Sequence, residues 1–332
     1  MTLSIDKLGG ERMLRYVLSR ILSTIPVLFG VTIVVFLLIQ LIPGDPAKSI
    51  LGADATPEAV EELRNNMGLN EPLIVQYGAW LSQLLQGDLG YSYTLHTPIV
   101  EELMPRFVNS LILTVASMLI CVTLGVILGL ISALKKGSFF DKASIGVALI
   151  GASMPVFWIA LMLMWLFSIK LNIFPVSGMY NMRNPGGFMD LLHHIVLPAF
   201  ATATVSLAVI ARLTRSTVID ILQKDYVNYF HSFGLSKSKI NIVHVMRNSL
   251  PPIINISGLQ VGYIMGGALF SEVVFNWPGI GQALYVAVTS NDYPTIQAGI
   301  LLIALTFVVV NLVVDLLNVW LSPRLQDSIK AE

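Results

Sequence analysis

Six apolar stretches dictate what this chain can fold into. Each is near the ~20 residues that carry a helix across a hydrocarbon layer, where every backbone polar group must be satisfied internally. They fall at about 21–42, 108–134, 144–169, 195–211, 253–275 and 296–321. Only 12% of the 332 residues are charged and 55% are hydrophobic, whereas soluble domains run to about a quarter charged. An all-α membrane bundle of six transmembrane helices follows. The 20 basic residues are balanced by 20 acidic ones, and a zero net charge argues against nucleic acid as a partner. The single cysteine, Cys121, sits inside an apolar run, and no CxxC or Cys/His cluster suggests a metal.

The first apolar run has a basic flank of Lys7, Arg12, Arg15 and Arg20, as a signal peptide would. It is too long for one and no A-x-A site follows, so it reads as an uncleaved helix. Basic residues set the orientation. Of the 20 Lys and Arg, four lie in the N-terminal segment, three at 134–143, six at 212–252 and two in the tail. These segments are expected on the cytoplasmic side, with both termini inside. The predicted division is a cytoplasmic segment 1–20, a first helix 21–42 and an extracytoplasmic helical loop 43–107. A five-helix core 108–321 containing the inner loop 212–252 follows, then a cytoplasmic tail 322–332.

Loop 43–107 is too long for a bare connection. It opens with Pro43-Gly44-Asp45-Pro46, a turn that stops the first helix. Thr56-Pro57-Glu58 supplies an N-cap, a proline at N1 and a first-turn acid, and Gly68 a C-terminal stop. A second helix is expected from about Pro72 to Gly87. The loop either shields the bundle or helps receive a partner or solute.

The inner loop has a helix, break, helix form. Tyr226, Tyr229, Phe230 and Phe233 recur at i, i+3, i+4 and i+7, one stripe on a short helix. Gly234 breaks it, since glycine enters the left-handed region freely. Ile240, Val243 and His244 or Arg247 mark a second helix, closed by Pro251-Pro252 at the membrane edge. Four rings need a surface. It is either the bundle's own inner ends and the lipid interface, or a groove on a cytoplasmic partner.

Here the residues resemble a known family. Gly234-Leu235-Ser236, His244, Arg247-Asn248 and Pro252 are similar to the EAA loop of binding-protein-dependent ABC importer permeases, in the dipeptide/oligopeptide/nickel branch. The likeness extends over nearly the whole chain through Pro43-Gly44-Asp45-Pro46, Gly87-Asp88-Leu89-Gly90, Ser153-Met154-Pro155 with Phe157-Trp158, and Leu197-Pro198. It continues in Arg212-Thr214-Arg215, Phe275-Asn276-Trp277-Pro278-Gly279 and Asp292-Tyr293-Pro294. One departure stands out: the family usually places small and basic residues before the glycine, as in Ala-Arg-Ala-Lys-Gly, and this chain has Phe230-His231-Ser232-Phe233-Gly234.

The resemblance implies a permease subunit that is not itself an enzyme and carries no cofactor. Two cytoplasmic ATPases, a homologous second permease and an extracytoplasmic solute-binding protein would complete the assembly in the inner membrane. No GxxxxGK[ST] loop is present to cradle phosphates. The implied coupling residues are Tyr226, Tyr229, Phe230, Phe233, Gly234, Leu235, His244 and Arg247. The implied cargo is a di- or oligopeptide, with nickel, a metal chelate or glutathione as alternatives.

Within the spans, Gly258, Gly262 and Gly266 form a small-residue stripe for close helix packing. Glu272, Gln260, Asn311 and Asp315 are the pore or gate candidates, because polar groups in lipid face a cavity, a partner or the bundle interior. Asn318 shares a face with Asn311 and Asp315, and hydrogen bonding between helices competes with solute contact for all three. His193 and His194 read as interfacial residues. Two other classes fit poorly. A secondary transporter would want paired intramembrane charges, and an intramembrane hydrolase a GxSxG or HExxH motif, neither of which occurs.

Overall fold

The computed structural model describes residues 3–41, 45–51, 55–92, 94–181 and 186–321. Five helices among them are long and apolar enough to cross a membrane, and a bent pair can supply the sixth crossing. The first, α1 (Leu3–Leu41), begins well before the predicted residue 21. Its polar opening turns add no hydropathy, and the apolar window itself is Leu18–Leu41. Pro43 and Gly44, Arg183, and the tail with Arg324 and Lys330 lie outside the described residues.

The outer loop contains α2 (Pro46–Leu51), α3 (Pro57–Asn66) and α4 (Leu73–Leu85). Thr56 caps α3 by accepting from the Ala59 amide at 3.3 Å. Gly68 and Gly87 follow the two helices at φ +66° and +83°, where a side chain would be strained. A two-residue antiparallel pair, β1 (Tyr91–Ser92) with β2 (Thr97–Pro98), closes the loop. The next helix, α5 (Ile99–Leu134), then starts nine residues before the predicted 108. Glu101, Glu102, Pro105 and Arg106 hide this turn from hydropathy, yet Ile99 and Leu103 are fully buried in it.

The stretch predicted as one span at 144–169 is broken. Helix α6 (Phe139–Ser153) and helix α7 (Val156–Leu163), extended by π-helical Met164–Lys170, meet at 106°. Pro155 offers no amide hydrogen and pushes Met154 into extended backbone, at φ −91° and ψ 138°. The fourth span is longer than the predicted 195–211. Helix α8 (Gly187–Leu222) is 36 residues long, and 61% of its apolar window is buried, against 17% for α1. It is the central pillar, packed most extensively on α5. Gly125 and Gly129 permit this, because a Cβ at Gly129 would lie 2.5 Å from the Ala211 carbonyl oxygen.

The inner loop folds as α9 (Asp225–Ser232), a single turn α10 (Lys237–Lys239) and a π-helical turn Ile240–Val245. The π turn runs directly into α11 (Met246–Val274). Pro251 and Pro252 therefore lie inside a helix and do not close one. One turn earlier, Asn248 Nδ2 donates to the His244 carbonyl and the Ser249 hydroxyl to the Val245 carbonyl, both at 2.8 Å. A short outer helix, α12 (Ile280–Thr289), and the last span, α13 (Tyr293–Leu321), complete the bundle. Helix α11 sits between α8 and α13, and α1 touches the rest chiefly through α13.

Candidate functional site

The inner loop is a platform on the C-terminal ends of α5 and α8. Val227, Ile240 and Val245 are buried with Ala133, Val218 and Ile221. The aromatic stripe divides there. Tyr226 and Phe230 turn toward this cluster, and Phe230 stacks on the His244 ring at 4.2 Å between centroids. The Tyr226 hydroxyl accepts from Asn248 at 3.3 Å. Tyr229 and Phe233 are 63% and 80% exposed. At ~100° per residue Tyr226, Phe230 and Val227 cluster on one side and Tyr229 sits ~110° round from its centre, while Phe233 lies just past the end of α9. Two of the four rings are therefore exposed, and the other two pack on the chain itself.

Gly234 follows α9 at φ +76°. The Leu235 amide donates to the Phe230 carbonyl at 3.1 Å, a 6→1 closure that only a left-handed residue permits, and Leu235 packs against the same cluster. Ser236 accepts from the Lys239 amide at 3.4 Å and restarts the chain as helix. Arg247 and Ile242 remain exposed, Ile242 by 71%.

A second junction lies at the other end of α11. Glu272 is 1% exposed. The Ser110 hydroxyl donates to its Oε1 at 2.6 Å, and the Gln282 amide to its Oε2 at 3.1 Å. Ser110 Oγ also accepts from the Ile280 amide at 2.8 Å. The carboxylate thus caps the N-terminus of α12, where free amides and the helix dipole favour an anion. Trp277, fully buried, donates from its indole to the Asn109 carbonyl at 3.1 Å. Gly279 is required here, because a Cβ would come within 2.3 Å of Glu272 Cδ. Glu272 is therefore a buried knot between α5, α11 and α12.

The other gate candidates do not converge with it. Gln260 Oε1 accepts from the Ser206 hydroxyl at 2.9 Å, linking α11 to α8. Asn311 donates to its own helix at the Phe307 carbonyl, 2.9 Å away. Asp315 pairs with Arg20 of α1 at 3.3 Å, both half exposed. The side chain of Asn318 lies outside the described residues. Of the glycine stripe, Gly258 abuts Val314 and Gly262 abuts Phe307 on α13, while Gly266 meets nothing. A spacing of four gains ~40° per step on a 3.6-residue helix, which carries Gly266 off the contact. Among the described residues no group of three His, Cys, Asp or Glu is placed to hold a metal.

Sequence reasoning missed one further joint. Asp141, buried in the first turn of α6, takes a two-pronged contact from Arg215 of α8, at 2.6 and 2.8 Å. The Gly137 amide donates to it at 2.9 Å and Ser138 caps its helix. Ser138-x-x-Asp141 is itself a capping signature, so the signal was present.

The sequence model of the family described as the binding-protein-dependent transport system inner membrane component matches residues 125–327, and that of its N-terminal region matches 13–114. A dipeptide transport system permease protein of Alkalihalophilus pseudofirmus is 41% identical over 332 residues, covering 95% of this chain and 100% of its own. A di/tripeptide transport system permease protein of Pseudomonas aeruginosa is 40% identical over 333 residues, covering 95% and 99%. A glutathione transport system permease protein of Escherichia coli is 37% identical over 314 residues, with the same two coverages.

Proposed function

The chain belongs to the binding-protein-dependent inner-membrane components, and from that premise we propose how this ABC importer permease is driven and what it carries. Permeases of this kind work in a multi-pass assembly with ATPase subunits, a second permease and a solute-binding protein. In this reading both termini and loop 212–252 face the cytoplasm, where two ATPases dock. The second permease is a homologue, and the extracytoplasmic loop meets the binding protein. The cargo is a di- or oligopeptide, supported by two relatives named for dipeptide or di/tripeptide transport. Glutathione, itself a tripeptide, is the second reading, supported by the third. Nickel gains no specific support.

The observation that carries the docking reading is the pair of exposed rings, Tyr229 and Phe233, beside the left-handed Gly234 on a platform whose base is buried. Rings held by a folded base lose little freedom when a groove covers them, and buried aromatic anchors contribute about 2 kcal/mol or more each. Exposed Ile242 adds to them. Inverting a 1:99 equilibrium to 99:1 takes ~5.5 kcal/mol of differential binding, which such anchors approach. ATP-driven closure of the ATPases then selects one of two arrangements of the helices. The test is Tyr229→Ala with Phe233→Ala. ATPase co-purification and ATP-dependent peptide uptake in proteoliposomes should both fall, with the amount of inserted permease unchanged. Undiminished co-purification would overturn the docking role.

A further inference from the structure

A small apolar groove of about 160 Å³ lies between α6 and α8, lined by Ile145, Ala148, Leu149 and Ala208, with Arg212 at one end. Its size is that of a cavity that stays dry and holds a benzene-sized apolar molecule, ~150 Å³. On α6, Lys142 shares a face with Ile145 and Leu149, three and seven residues on, and lies toward the α5–α6 loop. On α8, Arg212 lies one turn beyond Ala208 toward the same end of the bundle. Arg212 thus stands at one mouth of an apolar slot and Lys142 about one turn of α6 beyond its lining; both are exposed, and neither makes an ion pair among the described residues. Arg215, by contrast, is committed to Asp141. Lys135 and Lys136 stand on the adjoining loop, beside Phe139 and Phe140, which are 80% and 59% exposed. Aromatic rings with lysines are the composition of a membrane-interface segment, and unpaired cations there attract anionic headgroups.

We propose that this groove holds an acyl chain of an anionic phospholipid whose phosphate sits between Lys142 and Arg212. The bound lipid would lie against the α6–α8 contact next to the Asp141–Arg215 pair, on the side that carries the inner loop. The leaflet assignment rests on the cytoplasmic orientation argued above, whereas the binding itself does not. A zwitterionic phospholipid offers the same chains without the net charge, so the headgroup decides retention.

The test is native mass spectrometry of the whole transporter, exchanged into phosphatidylglycerol or phosphatidylethanolamine of identical acyl chains. Phosphatidylglycerol should be retained preferentially, and Lys142→Gln with Arg212→Gln should weaken retention about fivefold per charge removed. Leu149→Trp, which fills the slot but keeps both cations, should also release it. Equal retention of the two lipids, or unchanged retention in the double variant, would overturn the proposal. So would a disulfide from Leu149→Cys to the partner permease, which would mean protein covers the groove. Cysteine labelling at Lys142→Cys reads the orientation, and peptide uptake by the same preparations reads the transport function. Each can therefore fail without the other.

Discussion

The two ends of α11 are built on opposite terms. At the outer end, Glu272, Ser110, Trp277 and the amides of α12 satisfy one another with nothing left over. At the inner end, Tyr226 and Phe230 complete a cluster, and Tyr229, Phe233 and Ile242 are left standing outside it. A junction whose polar and apolar groups all find partners within one chain holds a shape. A junction that leaves rings uncovered on a rigid base has capacity for another molecule.

The difference is open to attack by mutation, beginning where the fold should suffer most. Glu272→Ala strips Ser110 and the α12 amides of their acceptor at a buried site, each at a cost of about 1–3 kcal/mol. A large drop in thermal unfolding temperature in detergent is expected, and a drop under a degree or two would mean the knot is dispensable. Asp141→Ala leaves Arg215 unpaired at a partly solvated site, with an expected loss of about 1–3 kcal/mol. Arg215→Ala alone should be worse than Asp141→Ala with Arg215→Ala combined, because the pair's loss removes the orphan.

Next come the glycines of α11. Gly262→Ala must displace Phe307, where a Cβ would meet the ring at 2.4 Å, and should destabilise. Gly266→Ala meets nothing and should stabilise by up to about 1 kcal/mol through helix propensity. Equal responses would mean that α11 and α13 do not pack as described. In the outer cap, Arg64 holds the Asp45 carboxyl below its ordinary value of 3.8 against the opposing effect of burial. A depressed carboxyl stabilises above its unfolded pKa and loses that contribution as pH falls through the folded one. Asp45→Asn should therefore cost under ~1 kcal/mol at neutral pH, and the gap should close below pH ~4. Smallest of all for the fold is Tyr229→Ala with Phe233→Ala, expected within ~0.5 kcal/mol of wild type by thermal unfolding. A large loss there would make these rings part of the permease's own core and erase the contrast.

The legible parts of this molecule were those written in contiguous residues. Apolar runs announced the spans, and Thr56, Gly68 and Gly234 their local caps and breaks. Hydropathy could not mark the start of α5, since Glu101, Glu102 and Arg106 interrupt it. It also passed smoothly over the bend at Met154–Pro155, because both limbs are apolar. Periodicity found the four rings but could not divide them, since a ring facing its own bundle and one facing a partner are the same residue type. Glu272 stood out as an acid near a span end, yet its meaning resides in Ser110, 162 residues away. Contacts of that separation leave no trace in a single sequence.

From Lys237 to Val274 the chain runs helically for 38 residues, about 57 Å at 1.5 Å per residue. Both the platform and the Glu272 knot are mounted on this one rod. It joins the two without an intervening loop. Near its foot, the wider π-helical turn Ile240–Val245 and the Pro251-Pro252 pair are where it already departs from a regular α-helix.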